Sequence, residues 1–243
     1  MNLSKRIFVV FLFSLIGLVF HFQAYACEKC SKHNKTSTVT ASTDTSQSPF
    51  TVSLQYRPRF EYNQNKDFTA DTSNEFVSQR ARIGVTANFN EHILSMIQFQ
   101  DVRAWGEEID TLNDFSANAI DLHQGFVQLG CKHWYTKIGR QEIIFDNHRL
   151  VGNVDWTQQG RSFDSVLFGF QKDMYHLRLF FSKISDTGLK LDKDLHGSHL
   201  NLSVSSVLNL SVLFLQNSDY DKHIKRNTTG LYAKGEINSI FYE

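Results

Sequence analysis

"TVSLQYRPRFEY", residues 51–62, sets an apolar or aromatic residue at every second position: Val52, Leu54, Tyr56, Pro58, Phe60 and Tyr62. Ser53, Gln55, Arg57, Arg59 and Glu61 fill the positions between. Strict alternation predicts a strand with one apolar and one polar face. In a water-soluble sandwich the apolar face packs inward. In a membrane barrel it meets lipid and the arginines line the lumen. One strand does not choose between the two, and the rest of the chain is needed.

The alternation recurs. In "FVSQRARIGVTANF" the residues Val77, Ala81, Ile83, Val85, Ala87 and Phe89 share one parity, while Ser78, Arg80, Arg82, Gly84, Thr86 and Asn88 share the other. "ILSMIQFQDVRAW" follows, with a parity that blurs at Met96 and again near Asp101. Further runs lie at 120–130, 133–141, 163–171, 174–183, 198–206, 207–217 and 228–242, about ten strands in all. No segment carries a helical period of useful length. Both prolines, Pro49 and Pro58, sit near the first strand, where Pro58 removes one ladder donor.

The links between runs alternate in length. Those at 63–75, 105–119, 142–162, 184–197 and 218–227 are long, and those at 90–91, 131–132, 172–173 and around 206 are tight. Short periplasmic turns and long extracellular loops are the arrangement of an up-and-down transmembrane barrel. This pattern turns the apolar face of residues 51–62 toward lipid and the arginines toward the lumen. Aromatics near strand ends, among them Tyr56, Trp105, Trp134 and Tyr232, fit interfacial girdles.

Before the strands, Lys5 and Arg6 precede an apolar run from Ile7 to Phe22, then Ala24-Tyr25-Ala26, which together predict a secretory signal peptide over 1–26. Residues 27–50 form a linker, thick with Ser, Thr, Asn and Asp from Ser31 to Ser48. Residues 51–243 are the barrel domain. Cys27 and Cys30 form a C-x-x-C with His33 nearby, but no second ligand pair accompanies them, so a disulfide or tether is expected and a zinc site is not. With 25 basic and 25 acidic residues the charge is balanced, which gives no reason to expect a nucleic-acid partner. No nucleotide fingerprint or phosphate-cradling glycine loop occurs, and no cofactor is expected.

Three stretches, "RARIGVTANFNEHILSMIQFQDVRAWGEE" (80–108), "DLHQGFVQL" (121–129) and "GRQEIIFDNHRLVGNVDWTQQGRSFDSV" (139–166), resemble the alginate-export family of outer-membrane porins. The resemblance implies a Gram-negative outer-membrane barrel whose arginine-lined pore passes anionic saccharides or other small anions. It also implies about eighteen strands, so the ten here are expected to be an incomplete part of a larger barrel; they would close as a smaller barrel, pair with a second polypeptide, or fail to fold.

Lumen cations expected from parity are Arg57, Arg59, Arg80, Arg82, Lys137 and Arg178. Arg103, Arg140, Arg149 and Arg161 are expected at strand ends or in the 142–162 loop. Guanidinium forks suit carboxylates because they donate two parallel hydrogen bonds, and a lumen that excludes bulk water focuses their field. Asp101, Glu107, Asp121 and Glu142 are expected to hold these arginines in register or to form a gate. The same charges could equally be plain lumen salt bridges. A rival reading is an outer-membrane hydrolase built on Asp146, His148, Asp155 and Ser162, and another is a non-functional remnant.

Overall fold

The computed structural model describes residues 48–64, 73–106, 120–186, 192–205, 207–237 and 240–242. The expected signal peptide, most of the linker with its cysteine pair, and Glu107 lie outside the described residues. Among the described residues eleven strands follow one another: β1 (Phe50–Gln64), β2 (Ser73–Asn90), β3 (Ile93–Ala104), β4 (Asp121–Gly130), β5 (Trp134–Gln141), β6 (Phe163–Lys172), β7 (Tyr175–Asp186), β8 (Asp192–Ser205), β9 (Leu208–Asp219), β10 (Ile224–Ile237) and β11 (Ile240–Tyr242). They form one sheet in chain order, every pair antiparallel. The described residues contain no helix.

The up-and-down order agrees with the sequence, but three details differ. The final run, 228–242, holds two strands, β10 and β11, which pair with each other, so ten strands become eleven among the described residues. The links at 184–197 and 218–227 contract to 187–191 and 220–223, because β7 to β10 run on through polar residues such as Ser185, Asp194, Ser218 and Lys225. Polar residues in these strands were read as loop because solubility and strand termination look alike in a sequence. Finally, the sheet is open: among the described residues β1 pairs only with β2, and β11 only with β10.

The registers separate the two faces. Val52, Val85 and Ile97 lie in one row, as do Leu54, Ile83 and Phe99. All six are 40% or more exposed. The alternate rows hold Gln55, Arg82 and Gln100, or Arg57, Arg80 and Val102, and here Arg80 and Arg82 are buried. Apolar side chains therefore look outward and charged ones inward, opposite to a water-soluble sandwich.

On the outer face the apolar rows end at a polar boundary, and its position in the register moves in one direction across the sheet. On β3 it falls at Asp101, which shares a row with Ala81 and Tyr56. Over β5 to β8 it falls at Arg140, Asp164, Lys183 and Asp194, whose row on β3 passes through Ile97. On β8 to β10, His196, Gln216 and Asn227 carry polarity one step nearer the short turns. A level line drawn across tilted strands slides through the register in this way. On β7 the apolar stretch from Tyr175 to Phe181 spans about 20 Å at ~3.4 Å per residue. At the short-turn end Trp134 packs on Phe170 and Phe168, with ring centroids 4.2 and 5.2 Å away.

The inner face is filled by the segment 142–162. Ile143, Phe145 and Val151 of this segment join Phe163, Leu167, Phe180, Leu213 and Leu215 of the sheet in one buried cluster. Phe180 lies directly opposite Gly197, where any Cβ would run into its ring. The missing side chain lets the aromatic ring lie flat across the neighbouring strand.

Candidate functional site: arginines under an inward loop

Two pairs of arginines arise from the period of the strand. Arg57 and Arg59 sit two apart on β1, Arg80 and Arg82 two apart on β2, so all four emerge on the inner face, with Arg57 directly opposite Arg80. Their guanidinium groups converge on residues 155–158 of the inward segment. Arg57 donates from Nε to Gln158 Oε1 at 3.0 Å, from Nη1 to the Asp155 carbonyl at 2.7 Å, and from Nη2 to the Thr157 carbonyl. Arg59 Nη1 donates to the Trp156 carbonyl at 2.5 Å. Arg80 lies 2.8 Å from the Asp155 carboxylate, and its Nη1 stands 3.4 Å from the carbonyls of both Thr157 and Gln158. The Gln158 amide donates to Ser78 Oγ at 2.9 Å.

Carboxylates balance part of this charge. Glu61 accepts from Arg59 and from Ser78. Asp155 faces Arg80, with Arg82 at 3.7 Å and Arg57 at 3.9 Å. Glu142 meets Arg82 at 3.7 Å. Four guanidinium groups thus face three carboxylates. Arg80 Nε and Nη2 and Arg82 Nη2 are buried without a hydrogen-bond partner, a costly state for donors of this kind. Burial works against the charged form of Asp155, but the hydrogen bond from Arg80 and the charges of Arg80, Arg57 and Arg82 outweigh it and hold the carboxyl below its usual range. Burial opposes the charge on Glu142 too, and the hydrogen bonds from His123 and Asn153 hold that carboxyl low.

His123 occupies a bulge of β4, where the register to β3 shifts between Gln98 and Phe99. The bulge turns His123 inward, buried, with Nε2 2.7 Å from Glu142. Ser162 Oγ stands 3.1 Å from His123 Nδ1 and gives its one proton to the His123 carbonyl.

A second anchor holds the other half of the segment. Arg178 on β7 donates to the Ile144 carbonyl at 3.0 Å and stacks over Phe145, 4.4 Å from the ring centroid. Arg178 Nη2 also lies 3.1 Å from His199 Nδ1. A guanidinium can only donate, so Nδ1 accepts and Nε2–H points at the Asp146 carboxylate, 3.0 Å away. Ser211 on β9 donates to the same carboxylate. Asp146 and His148 adopt left-handed backbone, with φ of 47° and 66°, which tightens the turn that brings Asp146 down to His199.

The structure brings together Arg57, Arg59, Arg80, Arg82 and Glu142, and places Arg178 on the same face. Lys137 is also on that face, 4.7 Å above the Phe126 ring. Asp121 stands at the loop end of β4 opposite Gln100. Arg149 and Arg161 are exposed on the inward segment. Arg103 and Asp101 pair with each other on the outer face, at 2.6 Å, because β3 keeps its alternation through Phe99. Arg140 shares that outer face with Asp164. The four residues of the hydrolase reading are not assembled: Asp146 goes to His199, Asp155 to the arginines, Ser162 to His123, and His148 is exposed. Sequence reasoning missed His123, His199, Asn153 and Gln158. The apolar residues Ile143, Phe145 and Val151 inside a stretch read as an outside loop were the available signal.

A family model described as Alginate export matches residues 48–183. The chain belongs to the alginate-export family. No curated protein matches it. Members of the alginate-export family are outer-membrane porins, and the match runs from β1 through most of β7. Both arginine pairs, the bulge at His123 and the inward segment of this alginate-export chain fall inside the matched span, whereas β8 to β11 lie beyond it.

Proposed function

We propose that this chain forms part of an outer-membrane pore that passes anionic saccharides or other small anions passively along an arginine-lined lumen. The observation that carries the reading is the inversion of the sheet: a continuous apolar face outside, and Arg57, Arg59, Arg80, Arg82, Lys137 and Arg178 inside. Lipid would cover the outer face between the short-turn aromatics and the polar boundary. The signal peptide at 1–26 and linker at 27–50 would deliver the chain across the inner membrane of a Gram-negative cell. Unpaired backbone at an open edge is not tolerated in hydrocarbon, so the free edges of β1 and β11 would be paired in the working pore, either to each other or to strands from a second polypeptide.

The test is in two steps. The chain is refolded in detergent and run on a gel with and without boiling, where a compact unboiled band marks a closed barrel. Bilayer recordings under a salt gradient then give the reversal potential. An anion-selective potential that weakens in Arg80→Gln and Arg82→Gln supports the reading, and a cation-selective or unaltered one refutes it.

A further inference from the structure

The inward segment binds the arginines with the same chemistry that an anionic sugar would use. Over residues 155–158 it presents one carboxylate, one amide oxygen and four consecutive main-chain carbonyls to Arg57, Arg59 and Arg80. These acceptors do not satisfy the donors. Arg80, with a fully buried side chain, keeps Nε and Nη2 unpartnered beneath the segment, as Arg82 keeps Nη2. Polar contacts alone hold these residues: the Trp156 side chain is 76% exposed, and the apolar anchor at Ile143, Phe145 and Val151 does not reach them.

We infer that Asp155–Gln158 is a built-in anion mimic that occupies the arginine site at rest, and that a polyuronate passing through the pore displaces it. This rests on the anion-pore reading above. A polyuronate carries a carboxylate on every sugar, so it can offer two oxygens to each guanidinium fork where the segment mostly offers single carbonyls. The apolar anchor keeps 143–151 in place while 155–158 swings away. At Gly160 a Cβ would run into Arg82 Nη2, so the missing side chain lets the segment lie directly against that guanidinium. The solute and the segment compete for one set of donors, so the site is closed to leakage when no solute is present.

The experiment measures amide hydrogen exchange of the full chain in detergent, with trigalacturonate as the probe. The reporters are the amides of Thr157 and Arg161, which donate to the carbonyls of Val154 and Asn153. Displacement requires their exchange to accelerate at least tenfold at saturating trigalacturonate. In parallel, the charge-neutral Gln158→Ala variant, which removes the side-chain hydrogen bonds to Arg57 and Ser78 and so loosens the segment, should bind trigalacturonate about tenfold more tightly than wild type. Slower or unchanged exchange on binding, or weaker binding by Gln158→Ala, overturns the mimic and makes the segment a fixed wall of the site. Anion-selective current with no binding of trigalacturonate to either protein overturns the mimic but leaves the pore standing. Loss of anion selectivity together with no binding removes both.

Discussion

Arg80 and Asp155 form an ion pair of unequal partners, and breaking it from the two sides has unequal consequences. The Arg80 side chain is fully buried, whereas that of Asp155 is 49% exposed. In Asp155→Asn the guanidinium stays in the interior without a countercharge, left with a neutral amide oxygen and the 3.4 Å contacts to the carbonyls of Thr157 and Gln158. A buried charge stripped of its partner costs about 3–5 kcal/mol, and opening of the segment relieves it by letting water reach Arg80. In Arg80→Met the buried charge is gone and a side chain of similar reach fills the space. Asp155 then keeps Arg82 and Arg57 at 3.7 and 3.9 Å, and because its own side chain is half exposed water screens the loss of Arg80 to about 0–1 kcal/mol. The acid is therefore the more damaging member to remove. At about 1.4 kcal/mol per factor of ten, Asp155→Asn should raise the open fraction of the segment roughly a hundredfold or more, and Arg80→Met less than about fivefold. Hydrogen exchange of the Thr157 and Arg161 amides reads both values in the absence of any solute. Equal effects, or a larger one for Arg80→Met, would show that the segment is not held by a desolvated arginine, and the site geometry would need another cause.

Three further outcomes follow from the same structure. Ile97 faces outward between Val85 and Gly125 while its neighbour Gln98 faces inward; if lipid covers the outer face, Ile97→Lys should cost about 2–4 kcal/mol near the bilayer centre and Gln98→Lys little, measured by urea unfolding in vesicles, and equal costs would contradict a lipid-facing side. Phe180→Ala empties a fully buried site beside Phe145 and should cost about 3–5 kcal/mol, seen as a lower temperature for loss of the compact gel band; no shift would mean the apolar cluster does not hold the segment. The carboxyls of Asp155 and Glu142 are both held below their ordinary values of 3.8 and 4.5, so their charged forms stabilise the docked segment. That contribution is present in full above those ordinary values and is lost as pH falls through the lowered ones. Protease cleavage within 152–158 should stay slow from neutral pH down to about pH 5 and rise below about pH 4, and a segment released on going from pH 5 to pH 8 would reverse the sign and refute the assignment.

The strands were legible because their alternation is physical: one residue in two must meet an apolar phase, and Val52, Leu54, Ile83, Val85 and Ile97 do. The same parity located the inward arginines of β1, β2 and β7. Arg103 and Arg140 do stand near strand ends, as expected, but at the polar boundary of the outer face and not in the lumen. Charge at a strand end marks the edge of an apolar band as readily as the wall of a pore, and only the register to a neighbour tells them apart. The bulge at His123 was invisible for a related reason: a single extra residue in β4 leaves "DLHQGF" looking merely blurred. The inward course of 142–162 depends on contacts between residues about a hundred positions apart, which no local pattern encodes. Its apolar residues were the one local sign, and a polar setting masked them.

The segment 142–162 touches β1 and β2 through the arginines, and β7 and β9 through Arg178, Asp146 and the apolar cluster. Arg57 and Gln158 are 101 residues apart in sequence. Contacts that distant form late, since the chain between them must first be ordered. A sheet that grips one insert at both of its wings is bent into an arc by that insert, whether or not its first and last strands ever meet. The loop therefore acts as an inner brace that ties β1 and β2 to β7 and β9 across the face of the sheet.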